Sequence, residues 1–288
     1  MLPAELKAPL LSILKARHEQ AVSIINTSSL GGGCINNAVK VQTNIGDFFI
    51  KWNQAKRHPG MFESEAQGLQ LLISAGEIYI PEVVAHDEIH DTAFLILEFV
   101  EPGRTAAGFW EDFGRSLAKL HKHTNDLFGL GHDNYIGSLP QSNKQHDNWI
   151  DFFIRERLEP QIREAGISGD LSKKFNGLFN VLDEIFPHEP PALLHGDLWS
   201  GNYMTAPNGK SCIFDPAVYY GHREMDIAMT RLFGGFSEQF YGAYNAEHPL
   251  ESGWENRLDI CNLYPLMVHV NLFGGGYLGQ VQNILNKF

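Results

Sequence analysis

Two regimes of hydrophobic patterning divide the chain near residues 98–104. Before that point most of the signal has a period of two, the mark of half-buried strands. Ala21 to Asn26 is a short β-type run, and Val39 and Val41 alternate with Lys40 and Gln42. Asn44–Ile45–Gly46–Asp47 supplies a turn, after which Phe48 to Trp52 returns. Pro81 to Ala85 and Thr92 to Val100 complete a predicted five-stranded sheet. One helix interrupts it, predicted by Phe62, Ala66, Leu69 and Ile73 at helical spacing. Another precedes it, where leucines mixed with Glu5, Lys7, Lys15 and Arg17 read as an amphipathic helix rather than a signal peptide.

After Glu101–Pro102–Gly103 the period becomes helical. Phe109, Phe113, Leu117 and Leu120 mark one face of a helix running to His121. Further helices are predicted from Trp149 to Leu158 and from Leu171 to Ile185, the second stopped by Pro187, Pro190 and Pro191. Ala192 to Leu194 and Ser211 to Phe214 read as short strands within this helical part. The expected architecture is α+β. A small β-rich lobe, 1–100, precedes a larger helical lobe, 101–288, with a cleft between them suited to a ligand.

Composition acts mainly by exclusion. With 43% hydrophobic and 19% charged residues, the chain has enough apolar surface to fold and is no disordered segment. A formal net charge of −12 argues against nucleic acid as the principal partner. No apolar run approaches the roughly 20 residues that cross a bilayer. Cys34, Cys212 and Cys261 form neither a disulfide framework nor a CxxC metal pair, so a reducing cytoplasm is the expected compartment.

The chemistry concentrates in His195–Gly196–Asp197–Leu198–Trp199–Ser200–Gly201–Asn202, followed by Asp215 in Ile213–Phe214–Asp215–Pro216. Phosphoryl transfer needs a carboxylate to orient the attacking hydroxyl and oxygen ligands for Mg²⁺. Asp197 is the candidate base, and Asn202 and Asp215 are the candidate metal ligands. A phosphate-covering loop, a strand lysine and a helical glutamate are then expected in the first lobe. Gly31–Gly32–Gly33–Cys34 sits between two predicted strands, where Gly32, Gly33 and Cys34 bring backbone N–H groups to phosphate. Lys51 ends the Phe48–Trp52 strand and is the candidate phosphate-binding lysine. Its partner is Glu65, which borders the apolar helix face, whereas Glu63 shares a solvated face with Gln67 and Gln70. Glu98 and Val100 flank the hinge, where backbone groups pair with adenine.

The whole chain resembles the fructosamine kinase (ketosamine-3-kinase) family, a branch of the protein-kinase-like aminoglycoside phosphotransferase fold. The resemblance rests on Trp199–Ser200–Gly201–Asn202, Asp215–Pro216–Ala217, the block from Tyr220 to Thr230, and Leu232–Phe233–Gly234–Gly235–Phe236. Asn134–Tyr135–Ile136–Gly137–Ser138, Trp149 and Asn271–Leu272–Phe273–Gly274 agree with it. It implies a two-lobed fold, ATP and Mg²⁺, and phosphorylation of the sugar 3-hydroxyl of a free or protein-linked ketosamine, a step toward deglycation. It also implies that Asp226 anchors the catalytic-loop backbone. Trp199, next to the base, is the candidate acceptor contact together with Asp197.

The segment between Asp215 and Asp226 is too short for a protein-kinase activation loop, so no phosphorylation switch is expected. His121 and His123 diverge on a helix end and read as cations near a helix C-terminus rather than zinc ligands. Gly274–Gly275–Gly276 reads as a helix terminator. Two other functions compete: a kinase of an aminoglycoside, choline or similar alcohol, and a non-catalytic pseudokinase. Retention of Lys51, Asp197, Asn202 and Asp215 opposes the latter. Cys34 is also a candidate redox residue, able to link two chains reversibly into a dimer.

Overall fold

The computed structural model describes residues 2–30 and 36–288, so Gly32, Gly33 and Cys34 lie outside the described residues. Helix α1 (Ala4–His18) buries Leu6, Leu10 and Leu14, spaced to form one stripe. The stripe covers one face of a five-stranded antiparallel sheet of β1 (Ile24–Ser29), β2 (Asn37–Thr43), β3 (Gly46–Gln54), β4 (Val83–Ile89) and β5 (Thr92–Glu98), in the order β1-β2-β3-β5-β4. The other face receives α2 (Met61–Ala75), which precedes β4 and β5. Coverage of both faces explains the unbroken apolar run in β5. Phe94 and Ile96 pack toward α1, while Leu95 and Leu97 join the α2 side.

The strand count agrees with the pattern, but β1 begins at Ile24 rather than Ala21. The Asn44 side chain bonds the Ala21 carbonyl at 2.9 Å and the Ser23 amide at 2.7 Å, which draws those residues out of the ladder. In α2 the predicted stripe is buried except for Ile73, which is 39% exposed in the final turn, where Leu72 covers the core instead.

The second lobe opens with α3 (Phe109–Leu120), whose Phe109, Phe113, Leu117 and Leu120 are all buried as predicted. A hairpin follows, β6 (Asn134–Ile136) and β7 (Leu139–Gln141). Helix α4 (Trp149–Phe152) runs through a π-helical stretch, Phe153–Leu158, into α5 (Glu159–Glu164). The helix expected from Leu171 to Ile185 is two, α6 (Gly169–Phe179) and α7 (Leu182–Ile185). Next come β8 (Ala192–Leu194), β9 (Tyr203–Thr205), β10 (Ser211–Ile213) and β11 (Tyr219–Gly221). β8 pairs with β11 and β9 with β10, both antiparallel. Helices α8 (Glu224–Leu232), α9 (Glu238–Glu247), α10 (Trp254–Phe273) and α11 (Leu278–Leu285) complete the lobe. Gly274, at φ 89°, ends α10 as expected for a helix terminator.

One buried cluster runs from α2 and the inner face of β5 through α3 to α8 and α10, so the two lobes share a continuous core. Leu69 belongs to it with no exposed surface. Leu69→Ala should therefore destabilise the chain by about 2–5 kcal/mol. Ile73→Ala, one turn on, should stay within about 0.5 kcal/mol. Chemical denaturation of both variants measures the contrast.

Candidate active site

Strand alternation sets the first side chain. Ile50 points to α1, so Lys51 points to the opposite face, toward α2 and the second lobe. Its ammonium is buried and reaches Glu65 Oε1 at 2.5 Å and Asp215 Oδ1 at 2.8 Å. Glu65 thus takes the place expected for it, while Glu63, Gln67 and Gln70 are exposed. Burial alone would lower the Lys51 ammonium, but the Asp215 and Glu65 carboxylates outweigh it and hold it up. Two carboxylates sharing one ammonium leave surplus negative charge. Burial, aided by Asp215 and opposed by Lys51, holds the Glu65 carboxyl up to about 7.

The second group hangs on the loop leaving β8. Asp226, in the first turn of α8, accepts the His195 amide at 2.8 Å and the Gly196 amide at 2.9 Å. His121 Nε2 lies 3.2 Å from the same carboxylate, and its Nδ1 is 2.8 Å from the Tyr244 hydroxyl. His121, at the C-cap of α3, is thus a buried brace between Asp226 and Tyr244. Burial would raise the Asp226 carboxyl, but the His121 hydrogen bond and the donated Gly196 amide outweigh it and hold it below its ordinary value. Burial lowers His195, and its two ring nitrogens are both engaged: Nδ1 accepts the Asp197 amide at 3.3 Å, which leaves Nε2–H to donate to the Phe214 carbonyl at 3.0 Å. Gly196 has φ 82°, and a Cβ there would lie 2.1 Å from the Ala217 carbonyl oxygen, so a side chain cannot be accommodated.

Asp197 is half-buried beside this brace. Removal from water, then the Asp215 charge, raise its carboxyl well above the usual range, which suits a proton acceptor. Asn202 Nδ2 donates to the Asp197 carbonyl at 2.8 Å and to Oδ2 at 3.0 Å, which leaves Oδ1 as the atom of that amide that could ligate a metal. Asp215, just beyond β10, is half-exposed and holds φ 54°, a conformation uncommon for a residue with a side chain. Among the described residues no group of three or more His, Cys, Asp or Glu side chains is placed to hold a metal. One carboxylate and one amide oxygen nevertheless fit Mg²⁺, which takes one or two protein ligands and completes its shell with phosphate and water.

Trp199 is 37% exposed, and its indole meets Phe233 edge-on at 5.9 Å. The ring lies over Gly201, where a Cβ would come 2.3 Å from it. At the hinge, the Glu98 amide is donated to Glu82 and that of Phe99 to Asp47. Glu98 also accepts the Tyr79 hydroxyl at 2.5 Å. Val100, Ala206 and Cys212 form a small buried cluster beneath it. Sequence reasoning missed Tyr79, Tyr244 and the polar residues of the β6–β7 hairpin, whose partners are remote in sequence.

These two lobes and the cleft between them are found in solved phosphotransferases. An aminoglycoside phosphotransferase crystal structure superposes with TM-score 0.64 at 15% identity, over 97% of this chain and 98% of that one, a likeness of fold. The fold is that of the protein-kinase-like phosphotransferases. A Haemophilus somnus protein assigned by name to the fructosamine-3-kinases superposes with TM-score 0.88 at 27% identity, over 96% of each chain. The fructosamine kinase family profile matches residues 8–288. A Synechocystis protein named as a probable ketoamine kinase is 39% identical over 273 residues, 93% of this chain and 92% of its own. An Arabidopsis thaliana chloroplastic protein-ribulosamine 3-kinase is 39% identical over 277 residues, 93% of this chain and 84% of its own. The chain belongs to the fructosamine kinase family.

A raised Glu65 predicts a pH effect with a definite sign. Below about pH 7 the carboxyl is protonated and its hold on Lys51 weakens, while Lys51 itself stays charged. Mg·ATP binding should weaken as pH falls through about 7, and Glu65→Gln should lack that step. Comparing the two proteins in equilibrium titrations cancels the protonation of the nucleotide. Because the folded carboxyl binds its proton more tightly than the unfolded one, wild-type stability relative to Glu65→Gln should fall as pH rises toward 7.

Proposed function

We propose that this protein transfers the γ-phosphoryl group of ATP to the 3-hydroxyl of a ketosamine, a step toward deglycation. The observation that carries the reading is the convergence of Lys51, Glu65, Asp197, Asn202 and Asp215 in one cleft of a fructosamine kinase family fold. The name of the Arabidopsis relative supports a protein-linked ribulosamine as one acceptor, and free fructosamine is the other form. The aminoglycoside alternative has the fold likeness alone in its favour.

Adenine lies at the hinge, where the Val100 amide is the donor because those of Glu98 and Phe99 are committed. Lys51 holds the phosphates and Glu65 holds Lys51. Asn202 and Asp215 would hold Mg²⁺, which neutralises phosphate charge when bound. Asp197 orients the sugar hydroxyl and accepts its proton as the oxygen bonds to phosphorus and ADP leaves. Trp199 faces the acceptor, and its ring offers a cation–π contact to the protonated amine of a ketosamine. The three-cysteine content supports a reducing cytoplasm as the compartment.

Asp197→Asn should cut turnover by about 10²–10⁴ while leaving Mg·ATP binding in place. Asp215→Ala should instead weaken Mg·ATP binding. Turnover of fructosamine and ribulosamine substrates, with calorimetry of nucleotide binding, separates the two; an Asp197→Asn enzyme with near-full activity contradicts the assignment. Trp199→Ala should reduce ketosamine use more than background ATP hydrolysis. An equal loss in both would mark the indole as a packing residue.

A further inference from the structure

Asp215 stands in a strained conformation at the start of a segment with no activation loop to support it. We propose that the β6–β7 hairpin is a fixed strap that positions both Asp215 and Glu65, through Gln141 and Asn134 on one side and Tyr135 on the other. The proposal rests on the roles given above to Lys51, Glu65 and Asp215.

The first arm is buried. Asn134 Nδ2 donates to the Val218 carbonyl at 2.8 Å, and Gln141 Nε2 donates to the Ala217 carbonyl at 3.2 Å. The two side chains are themselves tied, Gln141 Nε2 to Asn134 Oδ1 at 2.7 Å, and Tyr264 donates its hydroxyl to Gln141 Oε1 at 2.6 Å. The carbonyls just beyond Asp215 are thus fixed by amides that cannot leave without exposing unsatisfied buried groups. The same Gln141–Ala217 contact faces Gly196, whose absent Cβ lets the catalytic loop lie against Ala217.

The second arm uses strand alternation. Tyr135, between Asn134 and Ile136, points to the other side of the hairpin. Its hydroxyl donates to the Pro59 carbonyl at 3.0 Å, and its ring meets His58 edge-on at 6.1 Å. Both contacts fall just before α2, six and seven residues ahead of Glu65. Beside them lies a pocket of about 330 Å³ lined by Glu63, Ser64 and Gln67 of α2 together with residues of the hairpin. Farther along α2, Gly68 meets the Val218 side chain, where a Cβ would approach to 3.1 Å. The strap therefore joins the two carboxylates that share Lys51. The segments that carry them are held by hydrogen bonds already present in the chain, with no added phosphate.

Tyr135 and Gln141 are positioning residues, and equilibrium binding of Mg·ATP tests them. Because the readout is nucleotide binding, a wrong acceptor assignment changes no arm of it. Tyr135→Phe removes one hydrogen bond and should raise the Kd for Mg·ATP about twofold to tenfold with little change in Tm. In a Glu65→Gln background the same substitution should have no further effect, because the tether acts through Glu65. Gln141→Met should raise the Mg²⁺ concentration needed for half-maximal ATP binding, because its arm acts through Asp215. An unchanged Kd in Tyr135→Phe, or an equal fold-change with and without Glu65, overturns the Tyr135 arm. An unchanged Mg²⁺ requirement in folded Gln141→Met overturns the other.

Discussion

A buried ammonium must be paired, and Lys51 draws its two partners from opposite sides of the cleft. Glu65 comes from α2 and Asp215 from the turn after β10, so one charge ties the sheet, the helix and the second lobe together. Neither carboxylate alone satisfies the site, and together they overcharge it. Burial, with the Asp215 charge adding to it, lifts Glu65, and the half-exposed Asp215 stays open to a cation. Under the proposed reading, a nucleotide carrying Mg²⁺ would bring the compensating charges in the reverse order, metal to Asp215 and phosphate to Lys51. The free chain is thus electrostatically prepared for its ligand.

The other half of the chemistry depends on backbone amides. Asp226 collects the amides of His195 and Gly196, His195 passes its ring between the Phe214 carbonyl and the Asp197 amide, and Asn202 closes onto Asp197. Asp197, the proposed base, is therefore fixed from behind. Aromatic packing of Phe113, Tyr203, Phe236 and Phe240, with ring centres 5.0–5.7 Å apart, secures β9 just after Asn202. Rigid support matters here because small misplacements of a reacting group are costly to rate.

Much of this was legible in the sequence, for reasons that differ by element. The strands of the first lobe and the face of α3 follow from local alternation and spacing, and Glu65 was separable from Glu63 because only one of them borders the apolar stripe. Helix and strand edges were less legible where a side chain competes with the ladder, as Asn44 does at Ala21. The bracing role of His121 was not legible because its partners, Asp226 and Tyr244, are more than a hundred residues away and nothing local announces them. The polar residues of the β6–β7 hairpin were opaque for the same reason. Asn134, Gln141 and Tyr264 look like ordinary polar side chains until the fold brings them under Ala217 and Val218.

The most direct test of the account is a crystal structure of the protein with Mg²⁺, a non-hydrolysable ATP analogue and a ketosamine. The sugar 3-hydroxyl should lie within hydrogen-bond reach of the Asp197 carboxylate, about 2.6–3.2 Å. Lys51 should contact phosphate while keeping Glu65, and the metal should sit between Asn202 Oδ1 and Asp215. A complex in which Lys51 stays on Asp215 and the phosphates lie elsewhere, or in which another group faces the hydroxyl, would contradict it.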